Sequence, residues 1–293
     1  VDENKKVEGT ERQSPAVGVD KAPPSSQKAA LEYSFVLPCG LLLEDGTVLK
    51  DIKLTPLTGR DRKLLFEPKF QQNQAAMTTE LIKQRLIGIG PDYRPIATGE
   101  IRKLLVGDRD FILLKLSQIT HGDKLLARTR CPTCGVELDI EVDINSLPIK
   151  EMTEEEQRSI RDGRRVFKFS RPELRIVECT LMWPDGEMQE KLARRKSGNI
   201  AEGFNFLISQ MMMSFNNGPP LTFYQVEDLP LPVLEAFDDA TVEYRRGPDL
   251  MPTMSCEACG SETVVSLDIL SFFFRGAQER RKREREETTR LTE

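Results

Sequence analysis

The sequence predicts an α+β fold made of two strand-plus-helix halves, and three observations predict it. Short runs of alternating apolar residues open each half: Phe35–Leu43 and Val48–Leu54 in the first, Val166–Phe169 and Arg175–Trp183 in the second. Runs with helical spacing and capping signals follow them. Each half then closes on the same short turn, Cys131-Pro-Thr-Cys134-Gly135 and Cys256-Glu-Ala-Cys259-Gly260. After each turn apolar or β-branched residues stand at matching offsets: Leu138, Ile140, Val142 and Ile144, then Thr263, Val265, Leu267 and Ile269. The two turns therefore read as copies of one unit, a tight turn leading into a half-buried strand.

The first half is expected over residues 31–150 and the second over 151–274, flanked by tails at 1–30 and 275–293. Residues 1–30 are rich in Pro, Ser, Lys and Glu and hold almost no large apolar groups, so they read as a flexible tail. In the first half, Glu44-Asp45-Gly46 is a hairpin turn. Thr58-Gly-Arg-Asp61 has the form of a helix start. A helix is expected from Thr78 or Thr79 through Leu86, stopped by Gly88, Gly90 and Pro91. Thr98–Leu105 is a capped short helix. The next helix is expected to begin at Gly107 with Asp108 as its cap, and carries Phe111, Ile112, Leu116 and Ile119.

In the second half, Thr153-Glu-Glu-Glu156 is a capping box. Pro184-Asp185-Gly186 reads as a turn. Phe204, Leu207, Ile208, Met211, Met212 and Phe215 have the spacing of one helix, with the methionines on a buried face. Another helix is expected from Pro230 to Tyr244. Phe272-Phe-Phe274 precedes a tail dense in Arg and Glu. Two readings stay open there, a buried segment or apolar area presented to a neighbour.

Composition bounds the function. The chain has 293 residues, is 39% hydrophobic and 30% charged, and carries a net charge of −5. That balance argues against broad nucleic-acid binding, which relies on neutralised phosphates. No apolar run approaches bilayer length, and the first residues lack the apolar stretch of a signal peptide. His121 is the one histidine and reads as a helix-end residue before Gly122. With no second histidine, the usual hydrolytic zinc sites and His pairs are excluded. Asp108, Asp110 and Asp123 are the candidates for a hard cation, but their spacing matches no phosphate-loop or metal motif. Cys39 and Cys179, in apolar strand-like contexts, read as small buried hydrophobes.

The four cysteines of the turns carry the chemistry. Cys131, Cys134, Cys256 and Cys259 supply four thiolates, a set that closes a tetrahedral zinc site with no open position. Such a zinc-ribbon-like site joins the two halves and performs no reaction. A redox pair, disulfides and a rubredoxin-like iron are the competing readings. Duplication of the unit, each copy with its Gly and strand, favours zinc. A shared ion further predicts that chelation unfolds both halves together.

Several segments occur in a fixed order: Leu37-Pro-Cys-Gly40, Leu57-Thr-Gly-Arg-Asp61, Leu104-Leu-Val-Gly-Asp-Arg-Asp110, Ile119-Thr-His-Gly-Asp123, then Cys131-Pro-Thr-Cys134-Gly135. In these the sequence resembles the baseplate-hub and hub-assembly proteins of T-even-like contractile phage tails, and relatives in contractile injection systems, over about residues 32 to 275. Cys39 departs from the family pattern, which has a small hydroxyl residue after the proline. The resemblance implies a non-enzymatic structural or assembly component of a baseplate or hub, with the four cysteines as zinc ligands. Its partners would be other baseplate and hub subunits, with no small-molecule substrate, no nucleic acid and no membrane insertion. It would be made in the cytoplasm of the bacterial host or producer cell and would pass from there to the tail particle. The alternative is a zinc-ribbon protein that binds nucleic acid or acts in transcription.

Overall fold

The computed structural model describes residues 31–195, 199–267 and 269. Strands β1 (Tyr33–Leu42) and β2 (Val48–Leu54) pair antiparallel across the predicted turn, where Gly46 takes a positive φ of 86°. Their register shifts between Val36 and Leu41 around Gly40, at φ 82°. A side chain at Gly40 would place its Cβ 2.8 Å from the Leu49 carbonyl oxygen, so this bulge needs glycine. Around the bulge, Leu37 and Leu41 enter one apolar core and Cys39 enters another.

Helix α1 (Gly59–Leu65) starts on the predicted Thr58/Asp61 capping box. The free oxygen of Asp61 reaches Arg85 Nε at 3.0 Å and ties α1 to the end of α3. A single turn, α2 (Pro68–Gln71), leads to α3 (Gln74–Arg85) and then β3 (Leu86–Ile89), which completes a β1-β2-β3 sheet. Helix α4 (Thr98–Lys103) precedes α5 (Val106–His121). α5 is buried over most of its circumference and ends where Gly122 turns at φ 93°. The hairpin of β4 (Lys124–Arg130) and β5 (Glu137–Asp143) carries the first cysteine turn, and β6 (Ile149–Lys150) follows.

Helix α6 (Glu154–Arg158) opens on the Thr153/Glu156 capping box. Strands β7 (Ile160–Arg161), β8 (Arg164–Arg171) and β9 (Ile176–Met182) precede α7 (Gly186–Arg194) and α8 (Ile200–Met211). Strand β10 (Met212–Phe215) then completes a sheet in the order β10-β9-β8-β7. Helices α9 (Phe223–Glu227) and α10 (Leu231–Glu243) pack on it. β11 (Gly247–Pro248) pairs with β6, and β12 (Thr253–Ser255) with β13 (Glu262–Val264) carries the second cysteine turn.

The described residues form two apolar cores. The second is built on β8, β9, α8 and α10, around Phe167, Phe169, Trp183, Ile208 and Phe237. The first is built on β1, β2, α3 and α5, and it also takes Leu250, Val265, Leu267 and Ile269 from the far end of the chain. The second cysteine arm thus leaves its own half of the sequence and packs on the first core. Burying each such side chain contributes about 2 kcal/mol, so apolar packing holds the arm to the first core.

Several expectations are corrected. α3 begins at Gln74, capped by the Asn73 side chain, and stops at Arg85. Residues 86–89 are a strand, because Ile87 and Ile89 flank a glycine pressed flat against the Tyr93 backbone, 1.9 Å from where a Cβ would stand. Asp108 is not the cap of α5: the helix starts one turn earlier, and the buried carboxylate sits inside its first turn. α4 ends at Lys103, two residues short of the expected Leu105, and is capped at Ala97, whose amide donates to Glu100 at 3.0 Å. The Phe204–Phe215 run is not one helix. It starts at Ile200, ends at Met211 and continues as β10, with Met211 and Met212 both buried. Asp185 caps the unanticipated helix α7 by accepting from the Met188 amide. The strand after the second cysteine turn spans only three residues, although Thr263, Val265, Leu267 and Ile269 keep the alternating burial. The Phe272–Phe274 segment and both expected tails lie outside the described residues.

Candidate metal centre

Each cysteine turn is built by the same backbone bonds. In the first, the Cys131 amide donates to the Val136 carbonyl at 2.9 Å and the Gly135 amide to the Cys131 carbonyl at 2.9 Å. In the second, the Cys256 amide donates to Ser261 at 2.9 Å and the Gly260 amide to Cys256 at 2.8 Å. Gly135 and Gly260 have φ of 74° and 70°, the left-handed region that glycine occupies without strain. The first cysteine of each turn is buried and the second is exposed. The duplication read from the sequence is therefore a duplication of geometry.

The two turns face each other. All four Sγ atoms lie within 4.8 Å of one another. Cys131 Sγ is 3.8 Å from Cys259 Sγ, and Cys134 Sγ is 3.7 Å from Cys256 Sγ. A tetrahedron of sulfurs about 2.3 Å from a central zinc has edges of about 3.8 Å. The six cysteines of the described residues are all free thiols. Four thiols gathered this closely fit a thiophilic cation in number and spacing. A set of four sulfurs is the ligand complement of closed tetrahedral sites.

Local electrostatics point the same way. The Ser261 hydroxyl lies 3.4 Å from Cys131 Sγ and 3.0 Å from Cys259 Sγ. With the turn amides it pulls the Cys131 thiol down to about 5 and also lowers Cys259. At Cys134 the Val136 amide favours the thiolate. Desolvation and the neighbouring sulfurs of Cys259, Cys131 and Cys256 outweigh it and push this thiol up to about 12. Ser261 was not singled out in the sequence. Its signal was its position, five residues after Cys256, matching Val136 after Cys131.

The remaining candidates are structural joints. The Cys39 amide donates to Asp108 Oδ1 at 2.8 Å, and the Cys39 carbonyl accepts from Arg165 Nη1 at 2.9 Å and Gln157 Nε2 at 2.7 Å. Burial pushes Asp108 up to about 6 against the pull of the Cys39 amide and Arg165. Asp110 is also pushed up to about 6 by burial, against Arg245 at 3.7 Å. Asp123 accepts from Gln118 Nε2 at 2.8 Å. Among the described residues, the cysteine group is the one set of three or more ligating side chains close enough to hold an ion. Cys39 and Cys179 are buried in the second core, as expected. His121 closes α5 ahead of Gly122, also as expected.

The family model for T4 bacteriophage base plate protein matches residues 32–210. That span includes the first cysteine turn and ends before the second. No curated protein and no solved structure matches the chain. Among the described residues no helix is long and apolar enough to cross a membrane. The match covers more than half of the chain and contains all five ordered motifs, so the chain belongs to the T4 bacteriophage base plate protein family.

Proposed function

We propose that this protein is a non-enzymatic structural or assembly component of a contractile-tail baseplate or hub, its fold held by one zinc ion on Cys131, Cys134, Cys256 and Cys259. The family match over residues 32–210 carries the reading. The sulfur separations of 3.7 and 3.8 Å support the metal.

The family motifs support a scaffold role because each acts as a joint. Asp61 links α1 to Arg85. Asp108 holds the bulge at Cys39. Arg109 is wholly buried and donates to Gln189, Ala75 and Thr79. Thr120 accepts from the Leu57 amide at 3.0 Å. On the outer face of the first cysteine hairpin, Lys124, Arg128 and Arg130 pair across the strands with Glu141, Asp139 and Glu137. That hairpin offers a neutralised ladder in place of the basic stripe a nucleic-acid reader needs. The partners proposed are other subunits of the baseplate or hub, and the final location is the tail particle.

The test has two parts. Elemental mass spectrometry on protein purified without added metal should find one zinc per chain, and none in Cys256→Ser. Iron, or zinc retained in the variant, would overturn the shared site. Tails assembled in cells lacking the protein should show a baseplate defect by electron microscopy, restored by the parent chain. Normal baseplates without it would overturn the assembly role.

A further inference from the structure

A groove of about 380 Å³ lies beside the second cysteine arm, walled by Ala75 of α3, Leu113 of α5, Leu192 of α7, and Leu250, Leu267 and Ile269 of the arm. Two charged residues also line it, and both are engaged. Arg109 donates to Gln189 Oε1 at 2.9 Å, to the Ala75 carbonyl at 2.8 Å and to Thr79 Oγ1 at 3.1 Å. Asp110 faces Arg245. The groove therefore calls for an apolar occupant rather than an ion. A cavity of about 150 Å³ takes one benzene ring, so this one has room for two.

The chain itself carries matching side chains just beyond the groove wall in sequence. Ile269 forms part of the groove wall and has helical conformation. Phe272 and Phe273 follow it at i+3 and i+4, the positions that share one face of a helix. On a helix, position i+5, the place of Phe274, lies about 140° round, and one turn advances about 5.4 Å. We propose that the helical conformation of Ile269 continues through Phe274, so that Phe272 and Phe273 of this same chain fill the groove and Phe274 stays outside it. The second arm is then anchored at both ends, by sulfur at its turn and by two rings beyond Ile269. This does not rest on the family reading or on the metal.

The test places the photo-crosslinker p-benzoylphenylalanine at position 272, 273 or 274 of the full chain, in an equal mixture of ¹⁴N- and ¹⁵N-labelled protein. Crosslinks from 272 and 273 to residues 74–78 or 189–193, within chains of a single isotope, support the proposal. Mixed-isotope crosslinks mean that a second copy fills the groove, and overturn it. Absence of groove crosslinks from 272 and 273, or equal yield from 274, also overturns it. In parallel, Phe272→Ser and Phe273→Ser should each lower Tm by roughly 5 °C, and Phe274→Ser by no more than about 1 °C. Equal shifts at all three positions would overturn the assignment of faces.

Discussion

Cys134 Sγ stands 3.7 Å from Cys256 Sγ although 122 positions separate them. That closure brings both cysteine turns onto the first core, because Ile140, Val142, Val265 and Leu267 are buried in it together. The second core holds no residue of either turn or of the strands beside them. Chelating the proposed zinc should therefore loosen the first core selectively, in place of the joint unfolding of both halves expected from the sequence. Hydrogen exchange after chelation should accelerate at β4, β5, β12 and β13 and stay slow at β8 and β9. Uniform acceleration across both sheets would contradict this.

The backbones of Gly107 and Gly247 touch, and neither tolerates a side chain. A Cβ at Gly107 would lie 2.1 Å from the Arg246 carbonyl oxygen. Gly107→Ala should destabilise by about 3 kcal/mol or more, as other forced overpackings do. Gly99, in α4, has open space around its Cβ position. Gly99→Ala should be neutral or stabilise by about 0.5–1 kcal/mol. Urea unfolding of the two variants side by side checks the contrast.

Arg165 spans the bulge, donating to the carbonyls of Cys39 and Gly40 from β8. Because it is buried, its loss leaves those oxygens without their charged donor. Arg165→Met should cost about 3 kcal/mol, and the conservative Arg165→Lys should recover only part of it, since one ammonium does not reproduce two forked donors. Thermal unfolding of both variants measures the difference.

Buried Asp108 and half-buried Asp110 give stability a pH dependence of defined sign. Asp108 and Asp110 are both raised from 3.8 to about 6 in the folded protein. Between about pH 4 and 6 the folded chain holds protons at these sites that the unfolded chain has released. Their contribution is therefore greatest at low pH and declines as pH rises through about 6. Asp108→Asn keeps an acceptor for the Cys39 amide and removes one titration. The variant should show a flatter fall of Tm than the parent between pH 4 and 7. An unchanged slope would exclude Asp108 as its source.

Much of this protein is determined locally. Alternation placed β1, β2, β8 and β9. The pairs Thr58/Asp61 and Thr153/Glu156 marked two helix starts, because a cap is settled by residues three apart. The two C-x-x-C-G turns disclosed four sulfurs and the glycines their geometry requires. The family too was legible, in short motifs kept in order. Other features needed the tertiary structure. Period alone did not separate the end of α3 from β3, or α8 from β10, because short apolar runs serve helix and strand alike. Nor did it reveal that Cys39 and Leu41, two positions apart on one strand, feed different cores. A bulge at Gly40, held by Asp108 and Arg165 from distant elements, decides that. The partner of the second cysteine arm was settled in the same way. Burial pattern says that Val265, Leu267 and Ile269 face something apolar, and only long-range packing says that it is the first core.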